Sequence, residues 1–513
     1  MKIIVLEKGV IISNVMNDEE EKMKRLWLVL LSLGLIMAFS ASAFAVDVKV
    51  SADYSVGGLY LNKIAVDDGF QNWAGKTGSE NPSTAFFYQR LRIGTDFVVS
   101  PCLKLVTKFD AMDRIWGGAR SAADASNGGW AYNPATLNTG GVAGTRAESE
   151  NIVMDLAYIE YTSPIGLFKV GYQPDFVFGT VFGDRGNGMP TGQIQYVVPV
   201  GPVYLFAILD KEASNSASAV STQGTPLQQL NASVTDRNFD YYEAGAIYGF
   251  GKKIEAGAVI IYGRNAENRG LTEGAYLVNA YNVVPYFKAQ IGPVALQGEL
   301  NYGFGDAIKG EGMPGGTTGL GTNVSINTLS VFLDATDNLG MVYVGGSFAY
   351  VSGQDPNKTD QVQQGAGNTG GLDWIPCLIL FNTDLDYWAG NVVGHSGSVV
   401  NGEMQNAWFF QGRVGVKPTP KLDTMLSISY AVADQKSVLD GNGPLGYGPT
   451  PGGTYGTEVD LTGTYKITNN LSYMLGAGYL FAGDYFKGAD TGFAGGAKVT
   501  DDFIFINKLT LSF

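Results

Sequence analysis

The sequence predicts an all-β protein, a transmembrane antiparallel up-and-down β-barrel of about 18 strands that occupies residues 46–513 as a single domain. Three observations predict this fold. The C-terminal segment alternates apolar and polar residues, short turns alternate with long loops along the chain, and helical periodicity is almost absent after residue 46. The 70 glycines and the 27 tyrosines and 27 phenylalanines fit a barrel with many tight turns and aromatic belts.

The C-terminal segment Asp501–Phe513 reads DDFIFINKLTLSF and has the period of two that a strand requires. One face carries Phe503, Phe505, Leu509, Leu511 and Phe513 and is interrupted only by Asn507; the other carries Asp502, Lys508, Thr510 and Ser512 with Ile504 and Ile506. As the last strand, this segment is expected to pair with the first, near Val48–Leu61. Without that pairing, two sheet edges would expose unpaired backbone groups to lipid.

Eight short stretches rich in Gly, Pro, Asn and Asp predict tight turns. They lie at 100–102, 163–166, 200–202, 250–253, 291–293, 337–340, 419–421 and 468–470. Nine longer connections lie at 62–83, 117–146, 178–190, 211–236, 266–274, 305–322, 353–403, 434–454 and 485–499. A transmembrane barrel has short periplasmic turns and long extracellular loops, whereas a soluble sandwich has no reason to place every long loop at one end. Strands around 275–290 and 323–336 alternate poorly, so their registers stay open.

Residues 23–45 predict a cleaved signal peptide. Basic Lys24 and Arg25 precede an apolar run that ends in the small-residue cleavage pattern Ala43-Phe44-Ala45. The alternative, a transmembrane anchor, needs roughly 20 apolar residues, and this run is shorter. The acidic run Asp18–Glu21 would spoil the charge of a signal peptide that began earlier. We therefore expect translation to start at Met23, with residues 1–22 as an untranslated upstream extension.

With this leader, the turn and loop alternation and the terminal Phe513, the chain resembles outer-membrane porins of Gram-negative bacteria. The segment Gly456–Asp484 looks like the final hairpins of larger porins from sulfate- and metal-reducing bacteria and of alginate-export-type barrels. The resemblance implies an outer-membrane location and contact with outer-membrane lipid. It also implies that the barrel-assembly machinery reads Phe513 as part of an assembly signal.

The sequence offers little for catalysis or for cofactors. Its one histidine, His395, lies in the loop 353–403, so the strands cannot supply a Ser-His-Asp triad or a multi-histidine metal site. The two cysteines, Cys102 and Cys377, are too few for a disulfide framework and fall at opposite ends of the expected barrel. A net charge of −14 without basic runs argues against nucleic acid as a partner. We expect a non-enzyme that binds no metal or cofactor.

Charged residues on inward faces are the candidate functional groups. The basic candidates are Arg90, Arg92, Lys108, Arg114 and Arg413, and the opposing acidic ones are Asp110, Glu299 and Asp460. Folding the hairpin about Pro101 places Arg92 near Asp110 and Lys108 near Gly94. A basic strip that faces acidic residues across a pore would set ion preference. The alternative is that these side chains are solvated wall residues that neutralise one another.

The long loop 353–403 contains an unusually apolar segment. Its expected constriction residues are Trp374, Cys377, Phe381 and Trp388. An exposed loop this apolar is a liability, so we expect it to fold into the barrel mouth. A lid over the other loops and a contact with a neighbouring subunit are the alternatives.

The predicted function is passive diffusion of ions and small polar solutes through a water-filled pore, since about eighteen strands leave an aqueous channel. One alternative is a solute-specific channel, for example for an acidic saccharide. Another is a structural or adhesive barrel whose loops bind a partner. The solute, the pore radius and the choice between monomer and homo-oligomer stay open.

Overall fold

The structure, a computed structural model, describes residues 46–67, 81, 83–116, 152–175, 177–183, 190–214, 236–269, 276–310, 323–365, 374–394, 398–439, 444–450, 452–487 and 498–513. The expected signal peptide at 23–45, the extension at 1–22 and His395 lie outside these described residues.

Strands account for most of the described chain. In order they are β1 Asp47–Leu61, β2 Thr84–Ser100, β3 Leu103–Ile115, β4 Val153–Ser163, β5 Gly166–Pro174, β6 Pro190–Val200, β7 Val203–Ser214, β8 Asn238–Tyr248, β9 Ile254–Asn265, β10 Tyr276–Ile291, β11 Val294–Gly310, β12 Val324–Leu339, β13 Val342–Val351, β14 Gln361–Val362, β15 Ala407–Thr419, β16 Leu422–Ala433, β17 Ser437–Leu439, β18 Tyr447–Pro449, β19 Thr454–Lys466, β20 Leu471–Ala482 and β21 Asp502–Ser512. One short helix, α1 at Thr383–Ala389, and 3₁₀ turns at Pro444–Gly446 and Asp484–Lys487 complete the described elements.

The wall is a closed antiparallel barrel of eighteen strands, as predicted. Each long strand pairs with the next long strand along the chain, while β14, β17 and β18 are short strands within the connections. The barrel closes where β1 pairs with both β2 and β21. Ala52 N donates to Phe513 O at 2.9 Å and Phe513 N donates to Ala52 O at 3.0 Å, so the last residue joins the first strand.

The eight predicted tight turns are present, and all lie at one end of the barrel, which we call the turn end. The longer connections leave from the opposite, loop end. The two strands whose register the sequence left open are β10 and β12, and each pairs with a neighbouring strand on both sides. Both alternate poorly because Val284 and Phe332 are apolar residues that point inward and are buried there.

The outer and inner faces differ as a barrel in lipid requires. Apolar residues on the outer face stay open to the surroundings, with Leu461 56 % exposed and Phe505 55 % exposed. A row of stacked aromatic rings also faces outward, through Tyr242, Tyr262, Tyr281 and Phe304. An exposed apolar surface of this kind is suited to contact with lipid. Among the described residues, no helix is long and apolar enough to cross a membrane.

Two pieces of chain fold into the barrel and form its core. The first inner segment, Val177–Gly183, follows β5, and the second inner segment, Trp374–Gly394, lies between β14 and β15 and contains α1. Both pack on inward-facing apolar side chains of the wall. Asn382 begins α1 by accepting a hydrogen bond of 2.8 Å from Leu385 N, the usual device for satisfying a helix N-terminus.

Candidate functional site in the barrel lumen

The second inner segment carries all four residues that the sequence predicts as a constriction. Trp374 packs edge-on against Phe409, with ring centroids 5.4 Å apart, and Phe381 lies 6.0 Å from the same ring. Trp388 stacks on Tyr88 at 4.3 Å. Their wall partners Tyr88 and Phe409 are buried and point inward from β2 and β15. The apolar loop is therefore placed inside the barrel.

Hydrogen bonds to the wall fix the backbone of this segment. The Glu458 carboxylate on β19 accepts from Ile379 N and from Leu380 N, each at 2.7 Å. On β15, Gln411 Nε2 donates to Pro376 O at 2.7 Å. Backbone groups that leave regular structure and become buried need such partners. Polar residues of the wall thus provide them and hold the segment in one position.

A charged contact joins the far end of the second inner segment to β2 and β3. Arg90 Nε lies 2.9 Å from Asp113 Oδ2, and Tyr387 OH donates to the same oxygen at 2.6 Å. The Arg90 guanidinium also lies over the Tyr387 ring, 4.1 Å from its centroid, and 5.2 Å from that of Trp388. Arg90, predicted to line the pore, instead forms a cation–π and ion-pair contact that holds α1 against the wall.

The first inner segment is held by Glu299 of β11. Its carboxylate accepts from Thr180 N at 2.5 Å, Val181 N at 3.0 Å and Gly183 N at 2.5 Å, and from the Thr180 hydroxyl at 2.9 Å. Glu299 is only 4 % exposed. The sequence assigns Glu299 to the acidic side of a pore. The structure corrects that assignment, because the carboxylate is buried and already accepts hydrogen bonds from backbone N–H groups of the first inner segment.

Inward-facing cations and anions of β2, β3 and β4 are paired side by side on neighbouring strands. Arg92 Nε lies 3.2 Å from Asp110 Oδ2 on the neighbouring strand, and Lys108 Nζ lies 3.9 Å from Asp155 Oδ2. The backbone register places Arg92 opposite Asp110 and Gly94 opposite Lys108, the pairings that counting from Pro101 predicts. Asp110 therefore lies beside a basic residue on the neighbouring strand, as the alternative of mutual neutralisation expects.

Arg413 on β15 follows the same rule. Its two terminal nitrogens bind the two carboxylate oxygens of Asp334 at 2.7 and 3.0 Å. Arg413 Nη1 also donates to the Ser347 hydroxyl at 2.8 Å, and Nη2 donates to the Thr336 hydroxyl. A planar guanidinium matches a carboxylate in this two-pronged geometry. These hydrogen bonds join three neighbouring strands, β15, β13 and β12, and stabilise that part of the wall.

Arg114 is the one predicted basic residue that the structure moves to the other face. Gln89 pairs with Arg114 and Leu91 pairs with Ala111, so β3 carries two residues opposite Arg90 where one would be regular. This β-bulge, with Met112 at φ 58°, reverses the alternation beyond it. Asp113 consequently points inward, and Arg114 falls on the outward face.

Asp460 lies beneath the second inner segment beside Glu458. Ligand-type atoms of Cys377, Glu458 and Asp460 all lie within 4.8 Å of one another, and all three residues are buried. Burial raises the pKa of the Cys377 thiol, and the negative charges of Glu458 and Asp460 raise it further. Asp460 is thus placed under the inserted chain and not on an open pore wall.

A second acidic group lines β6, β7 and β8. Asp210 is fully buried and accepts from Thr191 Oγ1 at 2.7 Å and from Gln193 Nε2 at 3.0 Å. Glu243 on the adjacent strand is 7 % exposed and faces the same way, since Ile208 pairs with Glu243 and Asp210 is two residues further along β7. We call Asp210 and Glu243 the inward acidic patch.

Sequence reasoning missed the first inner segment and the residues that hold it and the second one. Phe178 and Phe182 are apolar residues in a predicted polar loop, and that was the available signal. Glu458 shares the inward parity of Asp460, two residues away, and could have been found in the same way. Asp113 could not, because no residue type at Met112 indicates a bulge.

The fold is similar to those of solved outer-membrane proteins. OpdK of Pseudomonas aeruginosa, solved with vanillate, is 12 % identical, with a TM-score of 0.44 over 91 % of this chain and 99 % of that one. OccK8 (OprE) of the same organism is 11 % identical, with a TM-score of 0.44 over 91 % and 98 %. The anion-selective porin of Comamonas acidovorans is 11 % identical, with a TM-score of 0.40 over 91 % and 99 %. No protein-family model and no curated protein matches the chain.

Proposed function

We propose that this chain forms an outer-membrane channel of a Gram-negative bacterium, a porin that passes ions and small polar solutes by diffusion. One observation carries the proposal: two inner segments fold into a closed eighteen-stranded barrel and are fixed there by buried carboxylates, Glu299 and Glu458. A barrel of this strand number is wide enough to hold an aqueous channel, and inserted chain narrows such a channel to a size that filters solutes.

The two faces of the wall support this proposal. The outer face exposes leucine, isoleucine, tyrosine and phenylalanine, which suits lipid, while the inner face carries paired charges such as Arg92 with Asp110 and Arg413 with Asp334. Paired charges allow water and ions to enter a lumen without the penalty of isolated buried ions. The proposed role is not enzymatic.

The proposal includes a route to the membrane. Residues 23–45 would serve as a cleaved signal peptide, and Phe513 would be read by the barrel-assembly machinery. The reciprocal hydrogen bonds of Phe513 with Ala52 support a role for the terminal residue in closing the barrel.

A solute-specific channel is the second candidate, because inserted chain that hydrogen bonds hold in one position presents a fixed surface to a solute. An acidic saccharide is one solute class to test.

Planar-bilayer recording of the purified, refolded protein tests the proposal. We expect discrete single-channel conductance steps, with a reversal potential that shifts in a salt gradient. Saturable block of the current by a single solute would favour the specific channel over general diffusion. A correctly folded barrel that gives no conductance would contradict both and favour a structural or adhesive role.

A further inference from the structure

The cluster under the second inner segment has the composition of a metal site. Cys377, Glu458 and Asp460 are 2 %, 0 % and 3 % exposed, and one ligand-type atom from each lies within 4.8 Å of the others. Glu458 and Asp460 lie two residues apart on β19, so both side chains point inward to the same place. Cys377 approaches them from the inserted chain, which makes the cluster a junction between wall and segment.

Polar atoms at this junction lack partners. Within the described residues, Asp460 Oδ1 and Ser427 Oγ are buried and make no hydrogen bond. Ser427 is 1 % exposed and lies directly opposite Asp460 in the pairing of β16 with β19. Native proteins rarely leave two adjacent buried polar atoms unsatisfied, and a bound ion or water commonly supplies the partner.

Glu458 accepts a hydrogen bond from a backbone N–H on each of its two carboxylate oxygens, so the wall residue and the inserted chain are already joined at this place. A cation that touches the thiolate and both carboxylates would balance the charge and use the unsatisfied oxygens.

We propose that Cys377 Sγ and carboxylate oxygens of Glu458 and Asp460 bind one divalent metal ion of the zinc class, with Ser427 Oγ or water as the fourth ligand. One thiolate with two carboxylates suits borderline ions such as Zn²⁺ or Cd²⁺, and disfavours Ca²⁺ and Mg²⁺, which take oxygen ligands only. Binding releases the Cys377 thiol proton to solvent. The metal would tie the second inner segment to β19 and so stabilise the constriction.

Metal content after refolding tests the site. The full mature chain is refolded under reducing conditions with a small excess of Cd²⁺ or Zn²⁺ and then desalted, and bound metal is measured by mass spectrometry. We expect one equivalent in the unaltered chain and, with Cd²⁺, the ultraviolet absorption of a thiolate–cadmium bond. The matched control is Cys102→Ser, since Cys102 is the other cysteine of the chain and is exposed at a turn.

The variants separate the site from general thiol binding. Cys377→Ser should lose the absorption band and bind the metal at least tenfold more weakly. Asp460→Asn should also bind the metal at least tenfold more weakly. Cys102→Ser should keep both the band and the affinity for the metal. The heat-modifiable gel mobility of folded barrels shows whether each variant folds. Equal metal in unaltered chain and folded Cys377→Ser would overturn the proposal, as would loss of the metal in Cys102→Ser. Channel conductance is measured separately, so failure of the metal site does not bear on the channel.

Discussion

Arg90 Nε lies 2.9 Å from Asp113 Oδ2 inside the barrel, and the contact exists because β3 carries one extra residue there. The bulge at Met112 turns Asp113 inward, where it also accepts a hydrogen bond from Tyr387. A local irregularity of the wall therefore creates the attachment point for α1. Bulges commonly re-aim a side chain in this way beside functional sites.

Asp113→Asn should loosen the second inner segment. The variant keeps the size of the side chain but removes the charge that Arg90 and Tyr387 both contact, and hydrogen bonds to charged groups contribute about 1.5–3 kcal/mol. We expect faster hydrogen exchange at the amides of Thr383–Ala389 and more frequent current fluctuations in bilayers. The matched control is Asp423→Asn, whose carboxylate pairs with Lys417 at 3.4 Å in a more exposed site. Equal exchange in the two variants would contradict the attachment role of Asp113.

Glu299→Gln should release the first inner segment. A glutamine retains one oxygen acceptor but turns an NH₂ group toward backbone N–H donors of Thr180, Val181 and Gly183. Loss of these charge-assisted hydrogen bonds should cost about 2–3 kcal/mol of local stability. Hydrogen exchange of residues 178–183 should rise, and conductance should increase if the segment narrows the channel. Glu160→Gln, at a carboxylate that contacts Lys104 at 3.2 Å, is the control and should leave both unchanged.

The wall of the barrel was predictable, and its contents were predictable only in part. Counting from a tight turn placed Arg92 opposite Asp110 correctly, because the turn fixes the register of both strands. The count fails beyond Met112, since a non-glycine residue adopts a positive φ there without a signal in the sequence. Strand β12 alternated poorly because Phe332 packs on inserted chain, which periodicity alone cannot reveal.

The acidic patch should make the channel prefer cations. Asp210 and Glu243 face inward on neighbouring strands, while Arg92 and Arg413 are neutralised by acids beside them. We expect the reversal potential in a potassium chloride gradient to indicate preference for potassium, and the double variant Asp210→Asn with Glu243→Gln to lower the permeability ratio roughly twofold. Arg413→Gln is the comparison variant. It should lower the stability of the barrel, because Asp334 loses its partner, and should change the selectivity little. A preference for chloride in the unaltered channel would contradict this prediction.

Asp236, just before β8, should make the local stability of the loop end depend on pH in the acid range. Its carboxylate accepts from Arg264 at 2.9 and 2.5 Å and from Arg269 at 2.7 Å. The Arg264 hydrogen bonds, together with the charges of both arginines, lower the pKa of Asp236 against a smaller opposing effect of burial. Because the pKa of Asp236 is lower in the folded state, its ion pairs stabilise the fold at pH values above the unfolded pKa, about 3.9. That stabilisation is lost as the pH falls through the folded-state pKa.

Protection from hydrogen exchange measures this dependence at residues 236–240. We expect protection factors, corrected for intrinsic rates, to stay constant from neutral pH down to about pH 4 and to fall only in stronger acid. Asp236→Asn should show the lower protection at every pH. The energetic effect is small, because the Asp236 side chain is 47 % exposed and solvent screens the pair. A loss of protection near neutral pH, absent in Asp236→Asn, would contradict the assignment.

Deletion of Phe513 should impair assembly more than it alters selectivity. Its N–H and C=O groups both bind Ala52, while its ring is 64 % exposed on the outer face, away from Arg92 and the acidic patch. Loss of the residue removes two hydrogen bonds at the closing seam and leaves Ala52 of β1 without its partner on that side. We expect a lower yield of folded, heat-modifiable protein in the outer membrane, while the molecules that do assemble keep their reversal potential. Leu511→Ala, two residues earlier on the same face, leaves the backbone bonds in place and separates the seam from side-chain packing. An altered reversal potential with normal yield would contradict the assembly role, because it would mean that the C-terminus acts on the pore and not on closure.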